Sequence, residues 1–135
     1  STKDSNSLYK ELESLVLLNQ TSIKPLIKSF IKNRITYFLN EPNASKFFYQ
    51  LLHNENFFAS DEIKHKSADL ILKIKNIGVT SGEISKDTTV YQLHYHILVY
   101  AVDYINFTRK NIFEEQEVTI NDVDKLTENI LNILK

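Results

Sequence analysis

The chain carries, between Thr88 and Phe107, the stretch TTVYQLHYHILVYAVDYINF. At about 100° per residue, apolar and aromatic side chains cover most sides of this helix, and the clearly polar ribbon consists of Gln92, His96, Asp103 and Asn106. A helix that is apolar on so many sides is covered on more than one face. We therefore predict a central helix, with one face against the domain's own core and another against a second subunit or a bound ligand.

The same stretch is too polar to cross a bilayer. Charged and amide side chains interrupt it well short of about 18 consecutive apolar residues, the length that indicates a membrane-spanning helix. No signal peptide is recognisable in the sequence. We therefore expect a cytoplasmic protein that does not bind membranes.

Composition predicts one helical domain. The 135 residues are enough for a single core, and we assign residues 1–135 to one domain. Glycine and proline occur only twice each, far below their usual share, which favours helices over strands and turns.

Charge and cysteine content narrow the function. With 16 basic and 17 acidic residues, the formal net charge is −1, so the basic field that binds phosphate backbones is missing and we expect no nucleic-acid binding by this chain alone. The absence of cysteine excludes disulfides and thiolate chemistry.

Residues that cap or stop helices divide the sequence into about six helical runs. Each run carries apolar side chains at spacings of three and four, so we predict an all-α, six-helix bundle. The predicted runs are Ser5 to Leu18, a run capped by Thr21 or Ser22 and ending near Leu39, a short run over 44–52, a run from Ser60 to the stop at Ser81-Gly82, the central helix capped by Asp87 or Thr88, and a last run from Thr119 or Asn121 to the C-terminus.

Three segments look like helix junctions of a known family: residues 1–4 (STKD) followed by 7–12 (SLYKEL), residues 38–42 (FLNEP), and residues 82–84 (GEI) with Asp87. Together with the order of the runs, they resemble the C-terminal effector-binding and dimerisation domain of tetracycline-repressor (TetR) family transcriptional regulators. The resemblance covers nearly the whole chain. The family's N-terminal helix-turn-helix domain is absent from this sequence, so we expect DNA contact only through such a missing domain.

The resemblance implies the regulatory domain of a transcriptional regulator, which binds a small, mostly apolar effector between the first, second, fourth and fifth helices. It also implies a homodimer in which the last two helices pair with their twofold mates. We place those contacts at Ile97, Tyr100, Tyr104, Leu126, Ile130 and Leu131.

Arg34 falls within the apolar stripe of the second run. A buried guanidinium costs several kcal/mol unless carboxylates or carbonyls take up its donors. Two interpretations remain open: an internal ion pair or snorkelling to solvent, and an anchor for an anionic ligand group.

Aromatic residues are abundant on the helices that would line the pocket. Buried tyrosine hydroxyls need partners, which makes them better candidates than phenylalanines for orienting a polar ligand atom. The ligand-binding candidates are Phe30, Arg34, Tyr37, Phe38, Phe48, Tyr91, His94 and Tyr95.

We find no pattern for catalysis, a cofactor or a metal. His94 and His96 are two residues apart, so a helix directs them about 200° from each other and they cannot chelate one metal ion. We interpret His96, with Gln92 and Asp103, as a polar seam at a subunit interface. The chain is therefore predicted not to be an enzyme, and the alternative to a sensor is a helical adaptor that binds proteins and no small molecule.

Overall fold

A computed structural model describes residues 2–54, 60–113 and 117–135. Within those ranges every regular element is helical, which confirms the all-α prediction. The elements are α1 (Thr2–Leu18), α2 (Lys24–Asn40), α3 (Pro42–Leu52), α4 (Asp61–Thr80), α5 (Val90–His94), a π-helical turn (Tyr95–Val99), α6 (Tyr100–Arg109), a 3₁₀ turn (Ile120–Asp122) and α7 (Val123–Leu134). In the described part of the chain, none of these helices has both the length and the apolarity to span a membrane.

The predicted central helix is present as α5, the π turn and α6, which follow one another without a break and which we call the rod. Thr89 caps the rod, in place of the predicted Asp87 or Thr88. Its Oγ1 accepts from the backbone N–H of Gln92 at 3.1 Å, while Gln92 Oε1 accepts from the N–H of Thr89 at 2.8 Å. This reciprocal capping box satisfies two donors that the first turn would otherwise leave free.

Helix α2 is the most enclosed helix of the bundle. It packs against α1, α3, α6 and α7, while α1 and α5 pack against α4. Six of its apolar side chains, counting the residue that precedes it, are at most 1% exposed: Ile23, Leu26, Ile27, Phe30, Ile31 and Ile35. The rod contributes one buried face to the same core, through Leu93, Ile97, Leu98, Ala101 and Ile105.

Helix α7 buries its apolar stripe against α2. Leu126 and Ile130 are at most 2% exposed within the single chain, and so is Ile97 on the rod. These three residues are therefore core residues of the single chain, which leaves them almost no exposed surface for the predicted subunit interface. The exposed side chains of α7 are polar except for Ile133, and two of them form ion pairs with α2, Lys24–Glu128 at 2.6 Å and Lys28–Asp124 at 2.8 Å.

The turn after α4 has the predicted glycine stop. Gly82 has φ +78°, a left-handed conformation that side chains disfavour. The N–H of Glu83 donates to the carbonyl of Gly78 at 2.9 Å, and that of Gly82 donates to Val79 at 3.1 Å, as in a Schellman motif. This motif fixes the direction in which Glu83 leaves the helix.

Glu83 caps α2 from a distance, in place of the predicted Thr21 or Ser22. Its carboxylate accepts the backbone N–H groups of Ile23 at 2.7 Å and Lys24 at 2.9 Å, as well as the Ser22 hydroxyl at 2.8 Å. Burial by itself raises the pKa of Glu83, but the hydrogen bonds from Ser81, Ile23, Ser22 and Lys24 outweigh burial and lower it. The N-terminus of α2 is thus held by a charged group from the α4–α5 connection.

Candidate ligand-binding site

A cleft of about 750 Å³ opens between α3 and the second half of the rod. This volume suits a small organic molecule, because ligand pockets usually measure about 300–1,000 Å³. Four tyrosines, a phenylalanine and three cationic side chains are among the residues that line it: Lys46, Tyr49, Gln50, Tyr95, Tyr100, Asp103, Tyr104, Asn106, Phe107, Arg109 and Lys110. The pocket was expected between the first, second, fourth and fifth helices, with Phe48 as the one candidate from α3, so the position of this cleft differs from the prediction.

Helical spacing brings the aromatic side chains of the rod into the cleft. Tyr100, Tyr104 and Phe107 are four and three residues apart, a spacing that places side chains on one helix face. The rings of Tyr100 and Tyr104 stack with centroids 6.2 Å apart. Both tyrosines were predicted at a subunit interface, whereas here they form the rod side of the cleft.

The π turn brings Tyr95 to the same face as Asp103. In an uninterrupted α-helix, residues eight positions apart are offset by about 80° around the axis. A π turn has more residues per turn, so each one advances less and the offset shrinks. The hydroxyl of Tyr95 accordingly donates to Asp103 Oδ2 at 2.9 Å.

Asp103 also connects the rod to the end of α3. The Nε2 atom of His53 donates to Asp103 Oδ1 at 2.6 Å, and the His53 ring lies edge-on to Tyr49 with centroids 4.7 Å apart. Burial is the largest cause, and the hydrogen bond to Asp103 the next, of a rise in the pKa of Tyr95 to about 12. Tyr95 therefore stays protonated at neutral pH and acts as a hydrogen-bond donor, while Asp103 joins the two walls of the cleft.

Arg109 is one of the residues that line the cleft. Its guanidinium carbon is 4.6 Å from the centroid of the Phe38 ring, a cation–π geometry. The Nε and Nη2 atoms are covered and have no hydrogen-bond partner among the described residues. Arg109, Lys46 and Lys110 are the three cationic side chains among the lining residues.

Arg34 forms an internal ion pair, which was one of the two interpretations left open by the sequence. Its Nη2 donates to Glu11 Oε1, and the guanidinium lies over the Phe30 ring at 4.6 Å. Only 13% of the side chain is exposed. A smaller cavity of about 200 Å³ adjoins the pair and includes Tyr37 and Phe48 in its lining.

The remaining candidates lie apart from the cleft. Phe30 is fully buried in the core, and Tyr91 is 86% exposed. His94 is partly buried, and burial lowers its pKa, which favours the neutral imidazole. Of the eight predicted ligand-binding residues, Tyr95 lines the cleft and Phe38 lies beneath Arg109 at its edge.

Several cleft residues were missed at the level of sequence. Asp103 was assigned to a polar seam between subunits, but its hydrogen bonds to Tyr95 and His53 are within the chain. The spacing of Tyr100, Tyr104 and Phe107 around Asp103 could have indicated the helix face that lines the cleft. Lys46 and Arg109 carried no local signal, because their relevance depends on how α3 packs against the rod.

No cluster of three or more potential metal ligands occurs among residues 2–54, 60–113 and 117–135. No family model matches the chain, and no curated protein or solved structure matches it either.

Proposed function

We propose that this chain is a ligand-binding domain that senses a small organic molecule in the cleft between α3 and the rod. In line with the family resemblance, we propose it as the regulatory domain of a TetR-like transcriptional regulator. The observation that carries the proposal is the cleft itself, about 750 Å³ in volume and lined by four tyrosines. Tyrosine rings offer apolar contact area, and their hydroxyls orient polar ligand atoms.

The position of the cleft suits a sensor. One wall is α3, and the other is the rod at and beyond its π turn, an irregularity that often occurs at functional sites. A ligand held between these walls favours the arrangement of α3 and the rod that it binds best. In the family that the chain resembles, effector binding changes the spacing of two DNA-reading heads. An effector can do this only if it binds one arrangement of the domain more tightly than the other.

The homodimer is part of the same proposal. With Ile97, Leu126 and Ile130 in the core, a twofold contact through α7 would involve the partly buried Leu131 and the 57% exposed Ile133. Sedimentation equilibrium tests this: we expect a dimer that Leu131→Glu weakens and Asn129→Glu, an exposed polar position on α7, leaves intact. A monomeric wild-type chain would overturn this part of the proposal.

A thermal-shift screen of small aromatic compounds tests ligand binding. Gln50→Trp places a large ring at the cleft, whereas Lys64→Trp makes the same change at an exposed position on α4. We expect some compounds to raise the melting temperature of the wild type and of Lys64→Trp but not that of Gln50→Trp. Stabilisation that persists in Gln50→Trp, or its absence for every compound, would contradict the proposal.

A further inference from the structure

Arg34 and Arg109 share a cation–π contact but differ in their hydrogen-bond partners. Each guanidinium lies over a phenylalanine ring at 4.6 Å, Arg34 over Phe30 and Arg109 over Phe38. The covered Nε atom of each arginine has no hydrogen-bond partner among the described residues. The Nη2 atom of Arg34 donates to the carboxylate of Glu11, whereas the covered Nη2 of Arg109 also has no partner there. Two covered donors of a cation without an acceptor are unfavourable, because burial removes the water that would otherwise bind these two nitrogens.

The unpartnered atoms define the chemistry that would complete the site. The Nε and Nη2 donors form the edge of a guanidinium that pairs with a carboxylate through two parallel hydrogen bonds. Lys46 and Lys110 line the same cleft and add to its positive potential. The nearby carboxylate of Asp103 is already engaged by Tyr95 and His53. An anionic ligand therefore fits the part of the cleft near Arg109.

We propose that the ligand is an aromatic carboxylate, with its negative group paired to Arg109 and its ring among the tyrosines. This inference rests on the proposed function. Asp103 and Arg109 are six residues apart, about 9 Å along the rod, so a carboxylate at Arg109 stays clear of the negative charge of Asp103. The ring then lies toward Tyr100 and Tyr104. Because the two nitrogens are covered in the free protein, binding turns the guanidinium off Phe38 and into the cleft.

The test uses 2-naphthoate and its neutral isostere 2-naphthamide as probes, titrated calorimetrically into the full chain at neutral pH. The two compounds share a ring system and differ in charge. We expect 2-naphthoate to bind about tenfold or more tightly than 2-naphthamide, as a charge-assisted bidentate pair would give. Inorganic phosphate, which lacks a ring, should bind far more weakly than 2-naphthoate.

Arg109→Gln should reduce the preference for the anion to about twofold or less. Lys32→Gln, the same loss of charge at an exposed position of α2 outside the cleft, should keep it. Arg109→Lys retains the positive charge but cannot make two parallel hydrogen bonds to a carboxylate. It should give an intermediate preference for 2-naphthoate over 2-naphthamide. A preference that survives in Arg109→Gln, with unchanged unfolding behaviour, would overturn the inference.

The remaining outcomes separate this inference from the function on which it rests. If the acid and the amide bind equally tightly and Gln50→Trp blocks both, the proposal of an anionic ligand is overturned. The proposal that the cleft is the ligand site then still stands. Tight binding of phosphate alone would also overturn the aromatic ligand. If neither naphthalene binds and no screened compound stabilises the chain, both the inference and the proposed function fail.

Discussion

Glu83 and Ile23 are 60 positions apart in the sequence, yet the carboxylate of Glu83 accepts the backbone N–H of Ile23 at 2.7 Å. The same carboxylate accepts the N–H of Lys24 at 2.9 Å, so it satisfies two donors of the first turn of α2. Helix α2 packs against four other helices. A cap supplied by the α4–α5 connection therefore contributes to the stability of the whole bundle.

Glu83→Gln should lower the free energy of unfolding by about 1–2 kcal/mol, because the amide is a weaker acceptor than the carboxylate at this helix end. Denaturant unfolding measures the loss. Glu128→Gln is the matched control, since Glu128 pairs with Lys24 on the exposed surface and should matter little. Equal losses in the two variants would show that Glu83 acts only as a surface charge.

The Glu83 cap should be lost in acid. Because its pKa in the folded protein lies below the ordinary value of 4.5, its stabilisation is present above that pH and disappears as the pH falls through the folded pKa. The stability difference between wild type and Glu83→Gln should thus shrink between about pH 7 and about pH 3. A difference that stays constant over this range would contradict the charged cap.

Glu11 and Arg34 should behave as one unit in a double-mutant cycle. Glu11→Leu leaves the mostly buried guanidinium without its carboxylate and should cost about 2 kcal/mol of unfolding free energy, less than a fully buried pair would. Adding Arg34→Leu removes the unpaired charge, so the double variant should be more stable than Glu11→Leu alone. Additive losses measured by denaturant unfolding would rule out the coupling.

Asp103→Asn should lower the pKa of Tyr95 from about 12, because the charged acceptor of its hydroxyl proton is lost, while burial keeps the value above 10.0. NMR titration of ring-labelled tyrosine measures this change, and Asp124→Asn serves as the control. Since the folded pKa is raised, the associated stability is present below about pH 10 and is lost as the pH rises toward 12. An unchanged Tyr95 titration would refute the assigned hydrogen bond.

Periodicity predicted the helices well and their partners poorly. The apolar stripe of α7 correctly indicated a covered face, but Leu126 and Ile130 meet α2 of the same chain. An amphipathic pattern shows that a face is covered and does not show which surface covers it. Three of the six predicted interface residues, Ile97, Leu126 and Ile130, are therefore already buried within the single chain.

The same limit separates the two arginines. Arg34 was recognisable because it interrupts the apolar stripe of its own helix, a local signal. Arg109 gains its significance from Phe38 on another helix, a contact between residues far apart in the sequence. The π turn that aligns Tyr95 with Asp103 has no residue signature either, so this part of the cleft required the three-dimensional structure.

The most direct test of the central claim is an amide chemical-shift map of the chain titrated with 2-naphthoate. We expect the largest changes at the C-terminal half of α3 and along α6, at Gln50, Tyr104 and Arg109, with saturation at one equivalent per chain. Changes centred on Glu11 and Arg34, or scattered changes that do not saturate, would contradict the assignment of the cleft as the ligand site.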